Sequence, residues 1–274
     1  MKNKKIMALI LSALALVLFT ACGKEESAMD DDTLTVGMEL QYPPFETTNA
    51  EGEPDGISVE MAEDLAEYMG KDLKIENIAW SGLIPAVQSG KVDVIISSMT
   101  VRPDREESVD FSTPYANAQL AILANKDSGI ESASDLNKED MRIAVKNGTT
   151  GFLYANENLK NAEINTVEKT DTAILEVAQG KSDAFVYGQL TVFRSQQEYP
   201  EDTIALLDPF DVEPEPWAMA IKKDQPEFLE EINNFIEDYK ENGGFNDLAD
   251  KYLGEMKATF DELGLEFFFQ PRDE

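Results

Sequence analysis

Few residue types are available for chemistry in this 274-residue chain, because it holds no histidine and a single cysteine. Imidazole and thiol nucleophile–base pairs are absent, and a carboxylate or lysine would have to serve as any acid or base. No metal-ligand cluster is visible either, and the acidic runs read as exposed faces, so neither metal nor cofactor is expected. What remains is recognition. Arg105 follows Thr100 by five residues, close after Ser97-Ser98-Met99. A guanidinium grips a carboxylate through two parallel hydrogen bonds and keeps its charge at any relevant pH. Beside Asp104, Glu106 and Glu107 it can equally cap a surface helix. Thr149 and Thr150 fall where a helix should begin, and free N–H groups there favour an anion. Tyr42, Phe45 and Trp80 are aromatics at loop positions, suited to a core or to the wall of a pocket. Glu39 is either a surface carboxylate or a partner for an ammonium or guanidinium group.

The elements that must position these residues alternate between short β-branched runs and amphipathic stretches, the pattern of an α/β fold with mostly parallel strands. Strands are expected at 33–38, 73–78, 92–97, 142–146, 183–187 and 217–222. A helix follows Ser58, a good N-cap, with Met61, Ala62, Leu65, Ala66 and Met69 on one face before Gly70 stops it. Further helices are expected at 83–89, after Gly151, at 170–179, from Pro226 through Tyr239, and on to Tyr252. No repeat of solenoid period is present.

The ends carry addresses rather than fold. Lys2, Lys4 and Lys5 precede an apolar run from Ile6 to Phe19, which suits a secretory signal and is short for a membrane span. The run ends in Phe19-Thr20-Ala21-Cys22-Gly23 and so resembles a bacterial lipoprotein processing box, which implies cleavage after residue 21 and lipidation of Cys22. Residues 22–32 then form a polar, acidic tether without periodicity. With Cys22 consumed, no disulfide can form within the chain. The formal net charge of −31 opposes binding to nucleic acid or anionic lipid.

Seven local patterns, in order, resemble family 3 of the bacterial extracellular solute-binding proteins. They are Tyr42-Pro43-Pro44-Phe45, Gly56 to Met61, Trp80 to Ala86, Ser97 to Thr100 with Arg105, Asp110 to Tyr115, Val145 to Thr150, and Tyr252-Leu253-Gly254. The resemblance implies a two-lobed, type II periplasmic-binding-protein-like α/β fold. Lobe 1 would comprise 33–114 and 218–254, lobe 2 would comprise 120–212, and hinge crossovers would lie at 115–119 and 213–217. It further implies that the lobes close on an amino acid or related small carboxylate and deliver it to an ABC permease with its ATPase. The receptor itself is expected to be a membrane-anchored monomer outside the cytoplasm. Arg105 and Thr100 would then bind the ligand carboxylate, with Tyr42, Trp80 and Phe45 as walls. Glu39, Ser97, Ser98, Thr149, Thr150, Tyr187, Gly188 and Gln189 complete the expected contacts.

Two positions depart from the family pattern. An aspartate that receives the ligand's ammonium group normally follows the strand ending at Tyr187, whereas this chain has Gly188. Either Glu39 and the Ser98 carbonyl compensate, or the ligand is not an ordinary α-amino acid. Ser58 replaces an acid and is expected to act only as a cap. Residues 255–274, with Phe260, Leu263, Leu265 and Phe267-Phe268-Phe269, are too apolar for a free tail and are expected to dock on a lobe. The rival readings are an enzyme resembling periplasmic cyclohexadienyl dehydratases and a sensor or adhesin module on the same scaffold.

Overall fold

The computed structural model describes residues 31–210 and 214–263. The chain divides at Asp32, and the described residues from there on form the second, compact unit. The expected signal segment, Cys22 and most of the tether lie outside the described residues, as do Leu265 and the Phe267-Phe268-Phe269 run.

The second unit opens with β1 (Thr33–Met38), whose Leu34, Val36 and Met38 are fully buried. A small hairpin of β2 (Thr47–Thr48) and β3 (Pro54–Asp55) leads into α1 (Ile57–Met69). This helix packs Met61, Ala62, Leu65 and Ala66 inward and ends at Gly70 in the left-handed conformation. Next come β4 (Asp72–Asn77), α2 (Leu83–Gln88), β5 (Val94–Ile95), α3 (Pro103–Glu106) and β6 (Asp110–Phe111). After β7 (Ala116–Ala118) the rhythm restarts with β8 (Leu120–Asn125), β9 (Arg142–Lys146), α4 (Thr150–Asn158) and β10 (Glu163–Val167). It continues through α5 (Thr170–Ala178), β11 (Ala184–Gly188), α6 (Gln189–Glu198) and β12 (Thr203–Leu206). The chain then returns through β13 (Glu215–Trp217) and β14 (Ala220–Ile221) to α7 (Pro226–Glu241) and α8 (Gly244–Leu263).

Two five-stranded sheets result. The first has the order β4-β1-β5-β14-β6, with β1 parallel to β4 and β5 and the late-arriving β14 antiparallel to β5 and β6. The second has the order β10-β9-β11-β8-β12, with β9, β10 and β11 parallel and β8 antiparallel to β11 and β12. Each sheet has its own core. Leu83, Val87, Val92, Ile95, Met99 and Val109 cluster under the first. Ile122, Ile143, Val145, Ala184 and Val186 cluster with Leu136, Leu159 and Phe210 in the second. The antiparallel ribbon β7–β13 links the two.

Four expectations need correction. The strand expected at 217–222 is divided, Trp217 ending β13 in the ribbon and Ala220–Ile221 forming β14 in the first sheet. The buried strand expected at 92–97 pairs regularly only over Val94–Ile95, because the chain then bends into the Ser97–Thr100 segment. The last helix does not stop at Tyr252; α8 runs to Leu263 and buries Phe260 against Phe193. Ser58 is not the cap of α1; that position is Gly56, and Ser58 lies inside the first turn with its hydroxyl used elsewhere.

Candidate functional site

The residues between β1 and α1 fold back on themselves. Tyr42 and Glu46 form an isolated antiparallel bridge, and the turn between them places the Pro44 and Phe45 carbonyls over the start of α1. There they accept from Ile57 and Ser58 N–H at 3.0 and 2.7 Å, satisfying donors that a helix N-terminus leaves unpaired. So close an approach requires Gly56, at φ +117°. A Cβ there would lie 2.5 Å from the Phe45 oxygen and 2.6 Å from that of Pro44. The fold-back carries Glu46, 1 % exposed, into a nest of hydroxyls. Ser58 donates to its Oε2 at 2.6 Å, Ser98 to the same oxygen at 3.1 Å, and Ser97 to Oε1 at 3.3 Å. Burial dominates these bonds and pushes the Glu46 carboxyl up to about 8. An acid at position 58 would set a second carboxylate against it, which gives serine there a definite role.

Arg105 occupies the same cavity. Its five-residue spacing from Thr100 lets one guanidinium nitrogen donate to the Thr100 carbonyl at 2.8 Å. The other terminal nitrogen donates to the Gly148 carbonyl at 3.2 Å, and the group lies 5.2 Å from the centre of the Trp80 ring. Burial lowers the Arg105 guanidinium to about 10, still a cation at neutral pH. A guanidinium has five N–H donors, so these bonds leave others for a ligand. Glu215 of β13 lines the cavity nearby, with Thr100 donating to it at 3.4 Å. Burial raises the Glu215 carboxyl above the usual range, against a bond from Thr150 and the charges of Arg102 and Arg105.

The opposite wall comes from the second sheet. Thr149 caps α4, accepting from Phe152 N–H and donating to the Lys146 carbonyl at 2.8 Å. Thr149 and Thr150 face the cavity with Tyr187 and Gly188. Gly188 has no room for a side chain, because a Cβ there would lie 2.5 Å from the Tyr42 hydroxyl. The two sheets clasp at three further points. Trp80 Nε1 and Arg105 both donate to the Gly148 carbonyl, and Lys146 pairs with Glu39. That pair is buried, with side-chain exposures of 1 % for Lys146 and 6 % for Glu39. Glu39 Oε1 also accepts from Trp80 N–H at 3.2 Å, so both carboxylate oxygens are engaged. Burial disfavours the Lys146 ammonium, but Tyr187 and Glu39 outweigh it and hold the group above the usual lysine range.

The enclosed volume is about 60 Å³. Glu39, Tyr42, Trp80, Ser97, Ser98, Thr100, Arg105, Thr149, Thr150, Tyr187 and Gly188 all line it. Phe45 and Gln189 do not. Phe45 is buried behind the wall, stacked on Tyr42 and edge-on to Trp217, and Gln189 turns away to donate to the Leu207 carbonyl at 2.7 Å. The sequence reading missed Glu46, Gln119, Glu215 and Trp217 in the lining and Lys146 behind it. Glu46 directly follows Phe45 and was within reach; Glu215 and Trp217 arrive only through the returning ribbon. Among the described residues no group of three His, Cys, Asp or Glu side chains is placed to hold a metal.

Comparison with known proteins bears on the fold and the family. The L-cystine-binding protein TcyJ of Escherichia coli K12 is 27 % identical over 224 residues, covering 81 % of this chain and 83 % of that one. The crystal structure of AncCDT-1, an ancestral amino acid-binding protein and precursor of cyclohexadienyl dehydratase, is 36 % identical. It superposes with a TM-score of 0.75 over 82 % of this chain and 97 % of its own. A binding component of an ABC transporter from Wolinella succinogenes, complexed with lysine, is 32 % identical with a TM-score of 0.75, covering 81 % and 95 %. The two-sheet architecture is therefore that of the type II periplasmic binding proteins. The model of the bacterial extracellular solute-binding proteins, family 3, matches residues 34–255, and the chain belongs to that family.

Proposed function

We propose that this protein is the substrate-binding component of an ABC importer, enclosing a small amino acid between its two lobes and delivering it to the permease. The observation that carries this reading is the setting of Arg105. It is buried at the cavity wall, fixed by two carbonyls and an aromatic face, and has donors left for a carboxylate. Lobe 1 corresponds to 33–114 with 218–254 and lobe 2 to 120–212. The hinge falls at the crossovers 115–119 and 213–217, a reading supported by the β7–β13 pairing between the two sheets.

The side-chain end of the ligand meets Glu39, whose charge is already neutralised by Lys146. A cationic side chain gains no free carboxylate there, so the ligand is an amino acid with an uncharged side chain. This differs from the lysine and arginine held by related structures. The protein acts as a receptor and not as an enzyme, is monomeric, and is held to the outer face of the membrane by lipid on Cys22. A thermal-shift screen of residues 23–274 against the twenty amino acids tests the reading, because a ligand of the folded form raises the melting temperature by mass action. Neutral amino acids should give the largest shifts, with lysine and arginine well below them. No shift with any amino acid, or turnover of prephenate or arogenate, would overturn it. A Cys22→Ser variant should leave the membrane fraction if the anchor is as proposed.

A further inference from the structure

Position 188 carries no acid, and the Tyr42 hydroxyl occupies the space one would need. A zwitterion enclosed against Arg105 still has an ammonium to satisfy, since burying an unpaired charge is strongly unfavourable. The cavity offers three carboxyl groups. Glu39 is committed to Lys146 and to Trp80 N–H, and Glu215 stands at the Arg105 end, under the charges of Arg102 and Arg105. Glu46 is left. It lines the cavity, has no paired cation among the described residues, and is fixed in place by Ser58, Ser97 and Ser98. Ser98 touches Glu46 while the Thr100 carbonyl holds Arg105, so one short segment spans both ends of the ligand site. Ser98 also adopts φ 51°, a left-handed conformation that is strained for a non-glycine residue and is common at ligand sites.

We infer that Glu46, supplied by lobe 1, receives the ligand's ammonium group in place of an acid on lobe 2, and that it gives up a proton when it does so. The inference rests on the amino-acid reading of the cavity. In the free protein the carboxyl is protonated. The entering ammonium pairs with the carboxylate, and one proton leaves to solvent, so no other group is consumed. The titratable groups whose charges bear on Glu46 are Glu39 and Tyr42 from its own lobe, Tyr115 at the crossover, and Lys146 and Tyr187 from the second sheet. Lys146 is paired, and burial holds all three tyrosines neutral, so Glu46 is the group free to change charge.

The experiment is titration calorimetry on residues 23–274 at about pH 6.5, in two buffers of different ionisation enthalpy. The probes are L-glutamine with 4-carbamoylbutanoate and L-alanine with propionate, each an amino acid and its desamino acid, extended to the amino acid with the largest thermal shift. Binding of the amino acid should release close to one proton, and affinity should rise about tenfold from about pH 6 to about pH 7. The desamino partner should bind at least about tenfold more weakly and release no proton. In Glu46→Gln both the release and the pH dependence should vanish, while in Glu215→Gln they should remain. Amino-acid binding by the wild type without proton release overturns the proposal with no need of a variant. So does equal binding of the desamino acid, or loss of the release in Glu215→Gln alone. If no amino acid binds at all, the receptor reading fails and this one with it, a result distinct from the others.

Discussion

In the proposed reading, two buried cations from the two sheets set the selectivity of this cavity: Arg105 offers its charge to the ligand and Lys146 keeps its own. Arg105→Lys should retain a cation but lose the planar fork and the contact with Trp80, so amino-acid affinity should fall by at least about 30-fold in calorimetry. Lys146→Met should behave differently. It leaves Glu39 buried without a counter-ion, which costs roughly 3–5 kcal/mol and should lower the melting temperature of the unliganded protein. Adding Glu39→Gln should restore most of that loss, because the pair fails as a unit. The single variant should also gain response to lysine or arginine, whose side chains would replace the missing ammonium. Absence of that gain in a thermal-shift assay would count against the Lys146 account of specificity. Glu46 adds a pH term. Its folded-state carboxyl titrates near 8, far above an unfolded glutamate, so its stabilising contribution is complete below about pH 4.5 and is lost as pH rises towards 8. The unliganded protein should therefore lose stability across that window by an amount on the order of 4 kcal/mol, and Glu46→Gln should flatten the profile.

At the scale of elements, the loop before α1 carries the greatest mechanical demand. Gly56 lets the Pro44 and Phe45 carbonyls close the helix N-terminus, and that contact places Tyr42 and Glu46. Gly56→Ala would force a Cβ into both carbonyls at a positive φ, and should cost on the order of 2 kcal/mol while weakening ligand binding with Arg105 untouched. Melting and binding measured on one sample would show both losses. Much of this layout was legible in the sequence. Strands β1 and β9 and helix α1 follow from local pattern, because each is decided by residues within one turn or one strand, whereas Arg105 was singled out by the family resemblance of its spacing from Thr100. The edge strands β10 and β12 lack regular alternation between buried and exposed residues, so nothing periodic announced them. Lys146 stood inside a recognised motif, yet its role depends on a residue 107 positions away, and local pattern carries no such information. Gln189 was expected in the cavity from its neighbours, and only the register of α6 shows that it points to Leu207. Gly188 was read as a lost acid; that the Tyr42 hydroxyl stands where a side chain at 188 would begin depends on a residue 146 positions away, which single-strand reasoning could not see.

The whole molecule must open to load its ligand and close to hold it, and α8 bears on that balance. Its first half belongs to the lobe of the first sheet: Tyr239 packs on Phe245, while Lys251 and Tyr252 both reach Glu60 of α1. Its far half reaches the other lobe, where Phe260 is fully buried and meets Phe193 of α6 edge-on at 5.9 Å. α8 thus touches elements of both sheets, with Phe245 stacked on Tyr115 beside the β7–β13 ribbon. Hinge opening has to break whichever of these contacts spans the moving surfaces, and the aromatic contact is the one with apolar area to lose. Phe260→Ala removes that area without touching the cavity. The ligand-free protein should then shift towards the open form, visible as a larger radius of gyration in solution scattering. Amino-acid affinity should fall modestly, since closure must be driven with less help, and release should quicken more than capture slows. If scattering and release rate are unchanged in Phe260→Ala, α8 is a passive extension and closure rests on the Glu39–Lys146 pair and the Gly148 contacts alone.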